Sequence, residues 1–225
     1  IYYRVLAALR LGLSEDELKN ELKIIRKDES FVQDKEEENL LCGYADYGLY
    51  DYIFPEWENH WQGLGIECVQ KISEALYGHA DKDDSFYTKS LRIASKKLNL
   101  SEGELNETLF KLSYPQAFAE SVKKYCNEYK LDQYVAFGLI RAESFFDPSV
   151  KSHAGATGLA QLMDGTASDV AKKLKISVYD LTDADTNVRF GTYYLSELIG
   201  RLDGSVILSL FAYNGGIGHV RRSEE

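Results

Sequence analysis

The sequence predicts a mainly α protein, with a helical, solenoid-like N-terminal region ahead of a second helical domain. Three observations lead there. Apolar residues recur at three- and four-residue spacing in one segment after another, which places them on single helix faces. Ser14 with Glu17, and Ser101 with Glu104, form capping boxes in which each side chain satisfies an orphan N–H at a helix start. No stretch of the first half alternates apolar and polar residues long enough to argue for a sheet.

Taken in order, the first box opens a helix carrying Leu18, Leu22 and Ile25 on one face. Ile66, Val69, Ile72 and Leu76 repeat the pattern, as do Leu91, Ala94 and Leu98. The second box leads into Leu105, Leu109 and Leu112. Between them lies an aromatic segment, from Tyr44 to Trp61, that includes Tyr47, Tyr50, Tyr52, Phe54 and Trp57. Such residues either pack between helices as the core of a thin layer or stack on sugars. Tyr114-Pro115 breaks the helical pattern, because proline pushes the residue before it out of the α region. The domain boundary is placed there, giving 1–113 and 114–225. With no low-complexity linker between them, the halves are expected to pack together.

Beyond Pro115 one helix runs through Phe118, Val122 and Tyr125, and an apolar one from Asp132 to Arg141. The second ends in Glu143-Ser144-Phe145-Phe146-Asp147-Pro148, where Pro148 is expected to stop it. A glycine-punctuated loop, Ser152 to Gly158, leads into Leu159-Ala160-Gln161-Leu162. Further helices are expected around Val188 to Ile199 and Val206 to Ala212, and the pattern closes on Ala212-Tyr213-Asn214-Gly215-Gly216.

Composition narrows the function. A formal net charge of −10, from 36 acidic and 26 basic residues, argues against a nucleic-acid partner, which requires a cationic field. The longest apolar run, Val206 to Tyr213, is too short to span a membrane. The histidines His60, His79, His153 and His219 show no metal-binding spacing, so no metal site is expected. Cys42, Cys68 and Cys126 form no CxxC pair and are taken as buried apolar residues, with a bridge between two of them left open.

Glu143 is the candidate catalytic residue. At the end of an apolar helix and beside Phe145 and Phe146, its carboxylate loses hydration, which favours the protonated form. A glutamic acid protonated near neutral pH can donate a proton to a glycosidic oxygen. The competing reading makes Glu143 a helix-end charge or a partner of Arg141.

The blocks around Glu143 decide between these. Glu143-Ser144-Phe145-Phe146-Asp147-Pro148 is followed by Ser152 through Gln161, then by Asn187, Gly191, Tyr194 and Leu195, then by Ala212-Tyr213-Asn214-Gly215-Gly216. In that order they resemble the catalytic domain of the soluble lytic transglycosylases, a lysozyme-like family that degrades peptidoglycan. The resemblance implies a lysozyme-like domain over 114–225, and a lytic transglycosylase that cuts the β-1,4 bond from N-acetylmuramic acid to N-acetylglucosamine. Glu143 would protonate the leaving oxygen and then act as base. Ser152, Gln161, Tyr194, Tyr213 and Asn214 would line or support the sugar cleft. The muramic 6-hydroxyl would attack its own anomeric carbon, so neither a second carboxylate nor a cofactor is required; Asp147 is assigned to a turn. Glycan strands of peptidoglycan are the implied partner, and the periplasm or cell envelope the implied location. The alternatives are a hydrolytic muramidase of lysozyme type and a non-catalytic glycan-binding or scaffold protein.

Two positions depart from the family pattern. Ala160 replaces a usual methionine, which predicts a wider subsite, and Asp164 replaces a usual proline. Family members also continue past the Ala-Tyr-Asn block for several tens of residues, so further chain is expected beyond Glu225. Residues 1–113 are similar, more loosely, to the helical superhelix and linker of the larger soluble members.

Overall fold

The computed structural model describes residues 34–80, 83, 85–100 and 106–222. The Ser14 and Ser101 capping boxes, with Leu18, Leu22, Ile25 and Leu105, lie outside these residues. Every regular element among the described residues is helical, as the sequence predicts. The chain divides into two compact units, one of 1–75 with 93–113 and one of 76–92 with 114–225.

The first unit begins with α1 (Lys35–Asp46), capped by Asp34, whose carboxylate accepts from the N–H groups of Glu36 and Glu37. Next come α2 (Tyr50–His60), a short 3-10 turn and α3 (Ile66–Tyr77) as far as residue 75, then α4 (Ser85–Leu100) from residue 93 and α5 (Glu107–Ser113). Leu41, Ile53, Trp57, Val69, Ile72, Ile93, Ala94 and Leu109 are buried, as expected of Val69, Ile72, Ala94 and Leu109, whereas Ile66, expected on the same face, is 36% exposed. A buried and a half-buried charged group have partners, which offset their lost hydration. The Glu38 carboxylate accepts from Gly65 N–H, and the Lys97 ammonium donates to the Leu64 carbonyl at 2.6 Å. The aromatic segment is only partly core. Trp57 is 8% exposed and serves the core, whereas Tyr47 and Tyr52 are 84% and 61% exposed.

The second unit contains 76–92, α6 (Ala119–Tyr129), α7 (Gln133–Ser144), α8 (Asp164–Leu174), α9 (Ala184–Arg201), α10 (Val206–Gly215) and α11 (Ile217–Arg222). Its main core joins Leu91, Val122, Phe137, Ile140, Phe146, Leu159, Val188 and Leu195. At one edge of the α6–α9 interface, Asp185 of α9 accepts from Ser121 at 2.6 Å and from the Tyr125 hydroxyl at 2.5 Å.

The end of α7 differs from expectation. The helix stops at Ser144, before Pro148, because Phe145 and Phe146 both take left-handed backbone angles (φ 53° and 61°). Phe145 N–H then closes on Arg141 C=O at 3.1 Å, in the manner of a left-handed C-cap. Helix α8 is not among the elements expected from the sequence, although Ala167, Val170, Ala171 and Leu174 carry a helical spacing, with the first three buried.

Candidate active site

Glu143 sits in the last turn of α7, half-buried. Its position is fixed by the residues on its C-terminal side. Ser144 is buried and donates to Ile140 C=O at 3.1 Å, and Phe145 C=O accepts from Thr88 at 3.1 Å. Phe146 is 1% exposed, with its ring 6.5 Å from that of Phe137. Two consecutive non-glycine residues in the left-handed region cost free energy, which burying Phe146 and these bonds offset. The strained cap thus turns Phe146 inward directly beyond Glu143.

Desolvation raises the Glu143 carboxyl above its ordinary value. An ion pair with Arg141 would pull in the other direction. The Arg141 guanidinium lies over the rings of Tyr114, at 4.3 Å, and Phe145, at 5.6 Å. Asp147 accepts from both the N–H and the hydroxyl of Ser149, at 2.9 and 2.7 Å, which is the geometry of a turn.

The predicted companions of Glu143 fall into two groups. Tyr213 and Tyr194 come together, with ring centroids 5.2 Å apart. The Tyr213 hydroxyl donates to Ala160 C=O at 2.8 Å. Burial, then the negative charge of Glu143 and the neighbouring Tyr194, push the Tyr213 phenol well above its ordinary value, so this hydroxyl keeps its proton. Glu143, Tyr194, Tyr213 and the backbone at Ala160 therefore share one neighbourhood.

Ser152, Gln161 and Asn214 have local partners. The Ser152 hydroxyl accepts from Ala156 N–H at 3.0 Å, closing the turn at 152–156. Gln161, at φ 45°, directs its amide nitrogen back to Val150 C=O and Gly158 C=O, at 3.1 and 3.0 Å. Asn214 is exposed on α10 and donates to Leu210 C=O at 3.3 Å.

The sequence assigns Asn187 no role beyond its place in a block, yet this residue organises the loop. It is 1% exposed and makes three bonds. Its amide nitrogen donates to Thr157 C=O at 2.9 Å and Leu181 C=O at 2.8 Å, and its oxygen accepts from Ala160 N–H at 2.8 Å. The signal is a polar residue beside Val188 and Phe190 on the buried face of α9. Gly158, at φ 76°, passes so close to Asn187 that a Cβ there would stand 2.3 Å from its amide nitrogen.

The model of the transglycosylase SLT domain matches residues 120–225. This stretch is an SLT-family domain. The soluble lytic murein transglycosylase of Escherichia coli K12 is 38% identical over 112 residues, covering 48% of this chain and 17% of that protein. The membrane-bound lytic murein transglycosylase F of Desulfosudis oleivorans is 32% identical over 114 residues, covering 48% of this chain and 24% of its own. The crystal structure of the 70 kDa soluble lytic transglycosylase of Escherichia coli matches with a TM-score of 0.61 at 27% identity, over 98% of this chain and 34% of that one. The chain thus spans about a third or less of each of these relatives.

Both departures from the family pattern have a structural consequence within the SLT domain. Ala160 is 1% exposed, and a Cβ on Gly191 of α9 would stand 2.4 Å from the Ala160 Cβ. The Ala160 methyl is therefore packed against α9 at Gly191, while its carbonyl accepts from Tyr213. Asp164 occupies the first position of α8, where a carboxylate favours the helix dipole much as proline favours the backbone angle.

Proposed function

We propose that the SLT domain is a lytic transglycosylase that cleaves the β-1,4 bond between N-acetylmuramic acid and N-acetylglucosamine in peptidoglycan. The observation that carries this reading is the Glu143 carboxyl, raised by burial, in a domain whose relatives are named lytic murein transglycosylases. Protonated Glu143 gives its proton to the glycosidic oxygen as the bond to the muramic anomeric carbon breaks. The resulting carboxylate then accepts the proton of the muramic 6-hydroxyl as that oxygen attacks the same carbon. The product is a 1,6-anhydro sugar, no water is consumed, and Glu143 ends protonated.

One carboxyl suffices because the nucleophile is part of the substrate, where its effective concentration is high. The engagement of Asp147 with Ser149 supports its assignment to the turn. Tyr213 and Tyr194 offer ring faces and a protonated phenol beside Glu143, and Ser152, Gln161 and Asn214 supply polar groups along the glycan. A peptidoglycan substrate implies a location in the periplasm or cell envelope. Among the described residues no helix is long and apolar enough to cross a membrane.

Mass spectrometry of the soluble products from purified sacculi tests the proposal. Anhydro-muropeptides are the expected result. Reducing-end products would reassign the domain as a muramidase, and binding without any cleavage would make it a glycan-binding module.

A further inference from the structure

We propose that Cys42 and Cys68 form a disulfide under oxidising conditions, covalently tying α1 to α3 within the first unit. The pair is assembled by the fold from distant positions in the sequence. The Cys68 thiol lies 3.7 Å from the carbonyl oxygen of Glu38. In an α-helix that carbonyl points along the axis at the N–H of the residue four further on, here Cys42. The Cys68 sulfur is therefore set against the very turn of α1 that carries Cys42.

The two sulfurs differ in access. Cys42 is half-buried, whereas Cys68 is 5% exposed. Burial, the Cys42 thiol and the Glu38 carboxylate all raise the Cys68 thiol, with Lys71 opposing them, so Cys68 stays protonated in the reduced pair. Cys42 is thus the sulfur that meets an external oxidant first, and Cys68 the one that resolves.

With a small disulfide such as oxidised glutathione as oxidant, the Cys42 thiolate attacks one donor sulfur and the donor S–S bond breaks. The first glutathione leaves as a thiolate and takes up a proton. Cys68 then loses its proton and attacks the Cys42 sulfur, displacing the second glutathione. Two protein thiols are oxidised, and one donor disulfide is reduced to two thiols. The bridge closes a loop containing α2 and its aromatic residues, which restrains the unfolded chain. Cys126, buried in the second unit with its thiol pushed up to about 11, provides an internal control.

The test is incubation of the folded chain with oxidised glutathione, then trapping of free thiols and non-reducing peptide mapping. The expected outcome is loss of two of the three thiols, a Cys42–Cys68 linked peptide, and Cys126 recovered free. The first unit should melt roughly 5–10 °C higher once oxidised. Cys126→Ser should still form the bridge, and Cys42→Ser should leave Cys68 unmodified. A stable glutathione adduct on Cys42, a Cys42–Cys42 linked dimer, or three unreacted thiols would each overturn the proposal. Mapping the unmutated chain decides the matter even where a serine variant folds poorly. The outcome is independent of glycan cleavage.

Discussion

Glu143→Gln should lower anhydro-muropeptide formation by roughly 10²–10⁴-fold or more, since the proton donor and acceptor of both steps is removed while the side-chain shape is kept. The expectation is checked by comparing initial rates on sacculi for the two proteins, with glycan binding measured in parallel. Retained binding with lost cleavage is the expected pattern; undiminished cleavage would remove Glu143 from the mechanism. The same substitution should act on stability in the other direction. The folded-state value of Glu143 is raised, by desolvation. A raised carboxyl contributes stability that is fully present below the unfolded value, about 4.3, and is lost as pH rises through the folded one. At pH 7–8 the glutamine variant, which has no charge to bury, should be more stable by on the order of 1 kcal/mol. The difference should vanish below about pH 4, where both side chains are neutral. Thermal melts of both proteins across that range read this directly.

The second large effect is expected at Gly158→Ala. The added methyl would stand 2.3 Å from the Asn187 amide nitrogen and 2.7 Å from Leu181 C=O, at a backbone angle of φ 76° that alanine rarely adopts. The backbone carbonyl cannot swing aside as a side chain can. Asn187 must therefore release bonds to Thr157, Leu181 and Ala160, leaving buried polar groups unsatisfied at about 1–3 kcal/mol each. A loss on the order of 3 kcal/mol is expected, read as a shift of the urea midpoint. Asn187→Ala should cost a similar amount by stripping the same bonds. The double variant should lose less than the sum, because part of the clash disappears with the amide. Strict additivity would show that the two residues do not act through one another.

Glu143 is visible in the sequence because its signal is local: an apolar helix, a glutamate near its end, two phenylalanines, and motif blocks in a fixed order. Tyr194 and Tyr213 are visible as members of those blocks, but their 5.2 Å ring contact joins α9 to α10 and no spacing within either helix encodes it. Asn187 reads only as a family marker. That it holds the 157–160 loop depends on Leu181 and Thr157 approaching it from elsewhere in the chain.

The sequence by itself determined the helical class, most of the buried positions on α3, α4 and α5 and the break at Tyr114-Pro115, and it singled out Glu143 as the acid/base candidate. All of these follow from neighbours within a few residues, where period, capping and proline geometry act directly. Only the tertiary structure decided that α7 ends on the left-handed Phe145-Phe146 pair rather than at Pro148, because that cap is sustained by burying Phe146. Likewise, only the fold could show that Ala160 packs against Gly191, and that Cys68 meets the turn carrying Cys42. Each is a contact between distant stretches of chain, set by how whole helices pack.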